Sequence, residues 1–184
     1  MTRVFFLLAM LGAVSVVADE TPPELDPTID SAEEFEARTK PLIAGIRNSS
    51  SLVVYEGLPH QMWEQEALEK ELKTKKTLKR HGFPFYETPI KVKKEVAAKL
   101  TATCGDLKNF ERWSGDKLCG GYHPDWCVEF QEGTNVYHVL ICFGCSEARF
   151  YGSKRAVYSD LTNVSKEKFE EMLKPLRKER PARD

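Results

Sequence analysis

The stretch from Trp126 to Ile141, WCVEFQEGTNVYHVLI, constrains the fold more than any other part of the chain. Two alternating apolar runs flank Gly133-Thr134, and a two-residue loop with glycine first is the type II′ preference of a β-hairpin. That turn predicts Glu132 opposite Asn135, and the rest of the register follows by counting. Trp126, Val128 and Phe130 then share a face with Tyr137, Val139 and Ile141, an apolar face on both strands. On the reverse face Cys127 lies across from Leu140, Glu129 across from His138, and Asp125 across from Cys142. Cys127 and Cys142 are diagonal neighbours there, within side-chain reach of a twisted pair. Cys145 follows just past the strand end.

The wider run CGGYHPDWCVEFQEGTNVYHVLICFGCSE begins at Cys119 and holds four of the five cysteines and two of the four histidines. What those groups become depends on the compartment. The chain opens MTRVFFLLAMLGAVSVVADE, with Arg3, an apolar run from Val4 to Val17, and Ala18 before Asp19. A basic start, an apolar core and a small residue at the cut predict a signal peptide over residues 1–18. The run is shorter than the ~20 residues that span a bilayer, so a retained helical anchor is the weaker alternative. The expectation is a secreted or periplasmic protein with no membrane span after signal cleavage.

In an oxidising compartment neighbouring thiols close into disulfides. Cys104 with Cys119, and Cys127 with Cys142 or Cys145, is one set compatible with the spacing; five cysteines with one left over allow about fifteen arrangements. The odd thiol pairs between chains, reacts, or sits buried and inert. A metal is the second reading, with Cys119, His123, Cys127, Cys142 and Cys145 as the candidate ligands and zinc as the cofactor. Zinc takes four soft ligands in a tetrahedron, commonly from two Cys-x-x-Cys-type pairs, and Cys142-Phe-Gly-Cys145 supplies one of them. Cys119, His123 and Cys127 are evenly spaced but do not form a usual second pair. The third reading is a thiol–disulfide oxidoreductase, whose Cys-x-x-Cys needs a helix N-terminus to lower the thiolate pKa. SEARFYG after Cys145 is too short and aromatic for that helix. Ser146 stands where a covalent haem c site needs histidine.

No catalytic or cofactor-binding residue is assigned. Gly-x-Ser-x-Gly, phosphate-cradling glycine loops and His-Glu-x-x-His do not occur. His123 and Asp125 suit a base and its orienter, but Pro124 and Asp125 read more simply as turn chemistry. Glu129 with His138 reads as a cross-strand pair, and His60 and His81 border a helix without special roles. Asn48-Ser49-Ser50 is a glycosylation sequon.

Elsewhere the chain reads as one domain. Residues 19–30, DETPPELDPTID, are acidic and proline-rich with little to bury, a tail. Ser31 and Glu34 make a capping-box signal for a first helix ending near Pro41 or soon after. SLVVYEGL reads as a buried strand. HQMWEQEALEKELKTKKTL reads as the strongest helix, closed by Gly82, with Glu66–Lys70, Glu69–Lys73 and Glu71–Lys75 at helical spacing. FPFYETPIKV then runs extended before a helix from about Lys93 to Cys104, and a last helix begins near Ser165 with Phe169, Met172, Leu173 and Leu176 inward. Helices mixed with clustered strands predict an α+β single domain over 31–180, about four helices and a small antiparallel sheet. A net charge of −1 excludes a general nucleic-acid binder. The lysines between Lys70 and Lys94 fall on a solvated helix face, without the interleaved aromatic groups of a nucleic-acid groove.

The block CGGYHPDWCVEF … CFGC, together with YEGLPH and HGFPFY, resembles a family of small secreted bacterial proteins with no assigned activity. The resemblance spans Val53 to Leu176 and implies a shared exported scaffold; it carries over no functional residues. The resulting expectation is a secreted or periplasmic, disulfide-supported binding or structural module.

Overall fold

The computed structural model describes residues 29–181. In chain order it forms α1 (Ala32–Arg47), β1 (Ser51–Glu56), α2 (Gln65–Thr74), β2 (Thr77–Arg80), β3 (Phe83–Tyr86), α3 (Lys94–Cys104), β4 (Phe110–Arg112), β5 (Trp126–Glu132), β6 (Asn135–Cys142), β7 (Glu147–Gly152), β8 (Arg155–Leu161) and α4 (Asn163–Leu173). The fold class is α+β, as the sequence predicts. The sheet is larger than the small one expected: six antiparallel strands in the order β1-β5-β6-β7-β8-β4, with β2-β3 as a separate pair.

The Gly133-Thr134 hairpin forms in the predicted register. Glu132 faces Asn135, Glu129 faces His138, Cys127 faces Leu140 and Trp126 faces Ile141. Gly133 has φ +56 while Thr134 stays out of the left-handed region, which is the type II′ arrangement. Because side chains alternate, this one turn assigns every residue of two central strands to a face.

One face carries the main core. Trp126, Val128, Phe130, Val139, Ile141, Phe150 and Val157 pack under α1, α3 and α4, joined by Leu100, Phe169 and Leu173. Trp126, Phe130, Phe150 and Phe169 have essentially no exposed surface, and each buried side chain of this size contributes roughly 1.5–3 kcal/mol or more. Tyr137 closes the edge by lying where a Cβ of Gly45 would stand. The other face carries a smaller core of Tyr55, Cys127, Leu140, Tyr151 and Ala156, covered by Phe83 and Phe85 of the β2–β3 pair.

Four local readings need correction. The strong helix ends at Thr74, because only Ala67, Leu68 and Glu71 of its length turn inward and Leu72 is exposed. The next residues become β2, and His81-Gly82 make a hairpin turn with φ +51 and +84 instead of a helix stop. Burying Phe85 and Tyr86 against the sheet outweighs the helical preference of the lysine run. Of the predicted ion pairs on α2, Glu69–Lys73 forms, whereas Lys75 reaches Glu179 and Glu71 accepts from Tyr86. Helix α1 runs six residues beyond Pro41 to Arg47. Its buried stripe of Phe35, Thr39, Leu42, Ile43 and Ile46 continues through the proline, so burial on the far side offsets the ~3 kcal/mol an internal proline costs.

Helix α4 starts at Asn163, two residues from the expected Ser165, with Thr162 accepting the Ser165 N–H as its cap. Finally, the acidic tail does bury something: Ile29 joins the main core and its carbonyl accepts from Arg112 at 3.1 Å. The predicted signal peptide, residues 1–18, and residues 19–28 of the tail lie outside the described residues. Among the described residues no helix is long and apolar enough to cross a membrane.

Candidate functional site

Three of the blocks quoted from the sequence converge at one end of the sheet. Gly57, after β1, donates its N–H to the Asp125 carbonyl at 2.8 Å, and a Cβ on Gly57 would overlap the Pro124 carbonyl oxygen. His123 places Nε2 at 2.8 Å from the Leu58 carbonyl, so that nitrogen carries the proton and donates. Burial pushes its pKa down to about 4, against the pull of Asp125, so the ring is neutral at pH 7. Asp125 accepts the Phe143 N–H at 2.8 Å through one oxygen and the Arg180 guanidinium at 2.8 Å through the other. Pro124-Asp125 is therefore not the self-capped turn expected: no turn forms at 122–124, and Asp125 instead fixes the Cys142–Cys145 segment, 18 residues on.

That segment is a tight turn between β6 and β7, not a helix start. The Cys145 N–H points back to Cys142 Sγ at 3.1 Å, and the backbone N–H of His123 donates to the same sulfur. The Cys145 side chain adds a hydrogen bond. These donors lower the Cys142 pKa below the usual thiol value in spite of burial, the Cys145 side chain contributing most. Cys145 itself is pushed far upward, by that same bond and by burial.

Cys119 completes the group. Its Sγ lies 2.7 Å from Cys145 Sγ, and both sulfurs aim at the Gly121 carbonyl, at 3.7 and 3.5 Å. Gly120 and Gly121, with φ +82 and +89, fold the chain sharply enough to bring that carbonyl round. The Trp63 indole N–H donates to the Cys119 carbonyl at 3.0 Å and holds this loop from outside. Leu118, Met62 and Trp63 are exposed beside it.

Of the five candidate ligands, then, the fold gathers Cys119, Cys142 and Cys145. His123 joins them through its backbone while its ring turns to Leu58. Cys127 is fully buried in the smaller core near Tyr55, Glu129 and Arg80, and burial pushes its pKa far up. Cys104, expected beside Cys119, is instead buried in the helix-side core, with its pKa also raised by burial alone. Among the described residues no group of three or more His, Cys, Asp or Glu side chains is arranged to hold a metal ion.

A second polar constellation lies under the β2–β3 hairpin. His81 Nε2 meets His138 Nδ1 at 3.0 Å, and His138 Nε2 meets Glu129 Oε2 at 3.0 Å. Arg80 donates to the same Glu129 oxygen at 3.1 Å. The His81 ring stacks on Tyr151, with centroids 3.6 Å apart and planes 3° from parallel. Burial and the neighbouring His138 and Arg80 push the His81 pKa down to about 3. For Glu129, burial raises the pKa, but His138 and Arg80 together bring it below the ordinary carboxylate value. The predicted cross-strand pair is thus the middle of a longer chain. The sequence reading missed His81, and the signal was available: His-Gly between FPFY and TLKR has the form of a two-residue hairpin turn.

A third group ties the 113–117 loop to β7 and β8. Buried Glu147 accepts from Tyr158 at 2.5 Å, Trp113 at 3.2 Å and Lys117 at 3.1 Å. Asp160 accepts from both the N–H and hydroxyl of Ser114 and pairs with Lys117. Loop residues 113–121 are therefore fixed at one end by carboxylates and at the other by sulfur.

No family model matches the chain, and no curated protein matches it. A crystal structure titled "Putative Lipoprotein from Clostridium perfringens" is similar at 14% identity, covering 77% of this chain and 94% of that one, with a TM-score of 0.40. A likeness at that level carries no assignment to this chain.

Proposed function

We propose that the protein is an exported, disulfide-supported structural and binding module in which a Cys119–Cys145 bridge fixes the surface loop carrying Leu118. The supporting observation is the 2.7 Å approach of those two sulfurs, one on the loop and one on the β6–β7 turn. A disulfide needs 2.03–2.05 Å between sulfurs, a short closure from that position. The leader sequence sends the chain to a compartment where thiols oxidise. Closing the 26-residue separation between these positions contributes about 3.5 kcal/mol in the chain-entropy account. The bridge and the Trp63–Cys119 hydrogen bond together hold Leu118, Met62 and Trp63 in water, where apolar groups serve recognition.

A second reading keeps the same three sulfurs as thiolates around zinc, and the N–H donors on Cys142 Sγ favour it as well. Peptide mapping without reductant, with elemental analysis on the same sample, separates the two. The expected result is a Cys119–Cys145 linked peptide, no stoichiometric metal, and a loop over 113–121 that gains hydrogen exchange after reduction. Reduced cysteines with one zinc per chain overturn the disulfide in favour of the metal.

A further inference from the structure

We propose that Cys142, Cys145 and Cys119 form a disulfide relay: Cys142 attacks Cys145 within the Cys119–Cys145 bridge and releases Cys119 as a surface thiol. The inference rests on the bridge proposed above and assigns it a reaction. Cys145 is the middle residue: its Sγ lies 2.7 Å from Cys119 Sγ, and its N–H reaches Cys142 Sγ at 3.1 Å. Exchange requires a thiolate on one side of the attacked sulfur and a leaving sulfur on the other. Cys142 is built for the first role. Its Sγ takes the Cys145 N–H at 3.1 Å and the His123 N–H, backbone donors that stay in place when the Cys145 thiol hydrogen bond is given up to the bridge. Asp125 holds the turn in place through the Phe143 N–H.

Cys119 suits the second role. It is partly exposed, whereas Cys142 is 2% exposed and cannot itself meet a bulky reagent. In the step, the electron pair of the Cys142 thiolate forms the Cys142–Cys145 bond. The Cys145–Cys119 bond breaks, its pair leaves on Cys119, and the proton shed by Cys142 is taken up there through solvent. One disulfide exists before and after, so no oxidant is consumed. The freed Cys119 thiolate can then attack a disulfide-bearing peptide, forming a mixed disulfide at Cys119 and expelling the peptide's other sulfur as a thiolate. Leu118, Met62 and Trp63 border that thiol and suit an apolar segment around the target cysteine.

Alkylation of the folded, oxidised protein by a polar maleimide, followed by peptide mapping, tests the relay. Wild type is expected to map as Cys119–Cys145 before alkylation, and after it to carry the label on Cys119 and a Cys142–Cys145 bridge; Cys142–Cys145 already present before alkylation overturns the relay and the underlying disulfide together. Cys142→Ser is expected to keep Cys119–Cys145 and to label Cys119 at least about tenfold more slowly, since the attacking thiolate is gone. Cys119→Ser, with an unchanged near-ultraviolet circular dichroism spectrum as the folding check, is expected to hold Cys142–Cys145 and lose the label. Label on Cys142 with Cys119–Cys145 intact, no label in wild type, or undiminished labelling of Cys119 in bridged Cys142→Ser each overturns the relay alone. A Cys142→Ser protein with no Cys119–Cys145 bridge overturns the underlying disulfide and takes the relay down with it.

Discussion

Gly57 shows how a single residue positions the site. Its N–H bonds the Asp125 carbonyl, and its missing Cβ leaves room for the Pro124 carbonyl, so the strand end and the His123-Pro124-Asp125 loop touch backbone to backbone. Neither backbone can retreat without breaking hydrogen bonds that fix the Cys142–Cys145 turn. Gly57→Ala is expected to lower stability by about 2–3 kcal/mol in denaturant unfolding, the cost of forcing an atom into a filled space. Gly144, inside that turn, has open space around the same position and no left-handed φ. Gly144→Ala should therefore stay within about 0.5 kcal/mol of wild type. Equal losses in the two variants would show that the close approach at Gly57 is not what matters. From sequence the two glycines look alike; the difference comes from what lies across from each.

At the scale of elements, the β2–β3 hairpin is the piece that sequence reasoning misread and that makes the second polar constellation. It places His81 on the His138–Glu129 pair, and burial keeps the His81 ring neutral at pH 7. The folded-state pKa of His81, about 3, lies below its ordinary 6.5, so the unfolded chain binds the proton first. Stability from this group is therefore complete above pH 6.5 and falls as pH drops from there towards about 3. His123, at about 4, and Glu129, lowered, act in the same direction. Thermal unfolding is expected to show a plateau above pH 7 and a progressive loss below 6.5. His81→Asn keeps a residue that tolerates positive φ and removes the titrating ring, so the acid slope should flatten. An unchanged slope in that variant would assign the acid sensitivity elsewhere, His123 first.

Across the whole molecule, the C-terminal segment straps the site end of the sheet. The carboxylate of Glu56, almost fully buried, accepts the backbone N–H groups of Lys178, Glu179 and Arg180 at 2.9, 2.9 and 3.1 Å. Arg180 then inserts between Asp125 and Glu64. Since Asp125 also holds Phe143, the last turn of the chain and the cysteine turn share one carboxylate. Removing one member of a buried ion pair strands the other, at about 3–5 kcal/mol. Arg180→Ala is expected to lose about that much in denaturant unfolding, and Arg180→Lys to recover only part, because an ammonium lacks the fork that spans two carboxylates. A loss below about 1 kcal/mol in Arg180→Ala would place the strap at the surface in energetic terms.

The alternation around Gly133-Thr134 was enough to assign two central strands, their register and the composition of both sheet faces, because a period-two pattern and a two-residue turn are local properties of the chain. The capping of α1 by Ser31 and the end of α3 at Gly105 were legible for the same reason. The pairing of sulfurs was not. Cys119 meets Cys145, and not Cys104, because carboxylates 30 to 46 residues away pin Trp113, Ser114 and Lys117, and because Trp63 clamps the Cys119 carbonyl from another element. Likewise Thr77–Arg80 became a strand once Phe85 and Tyr86 found burial against the sheet. Local pattern chose the faces; contacts between segments remote in sequence chose which thiols share an end of the sheet.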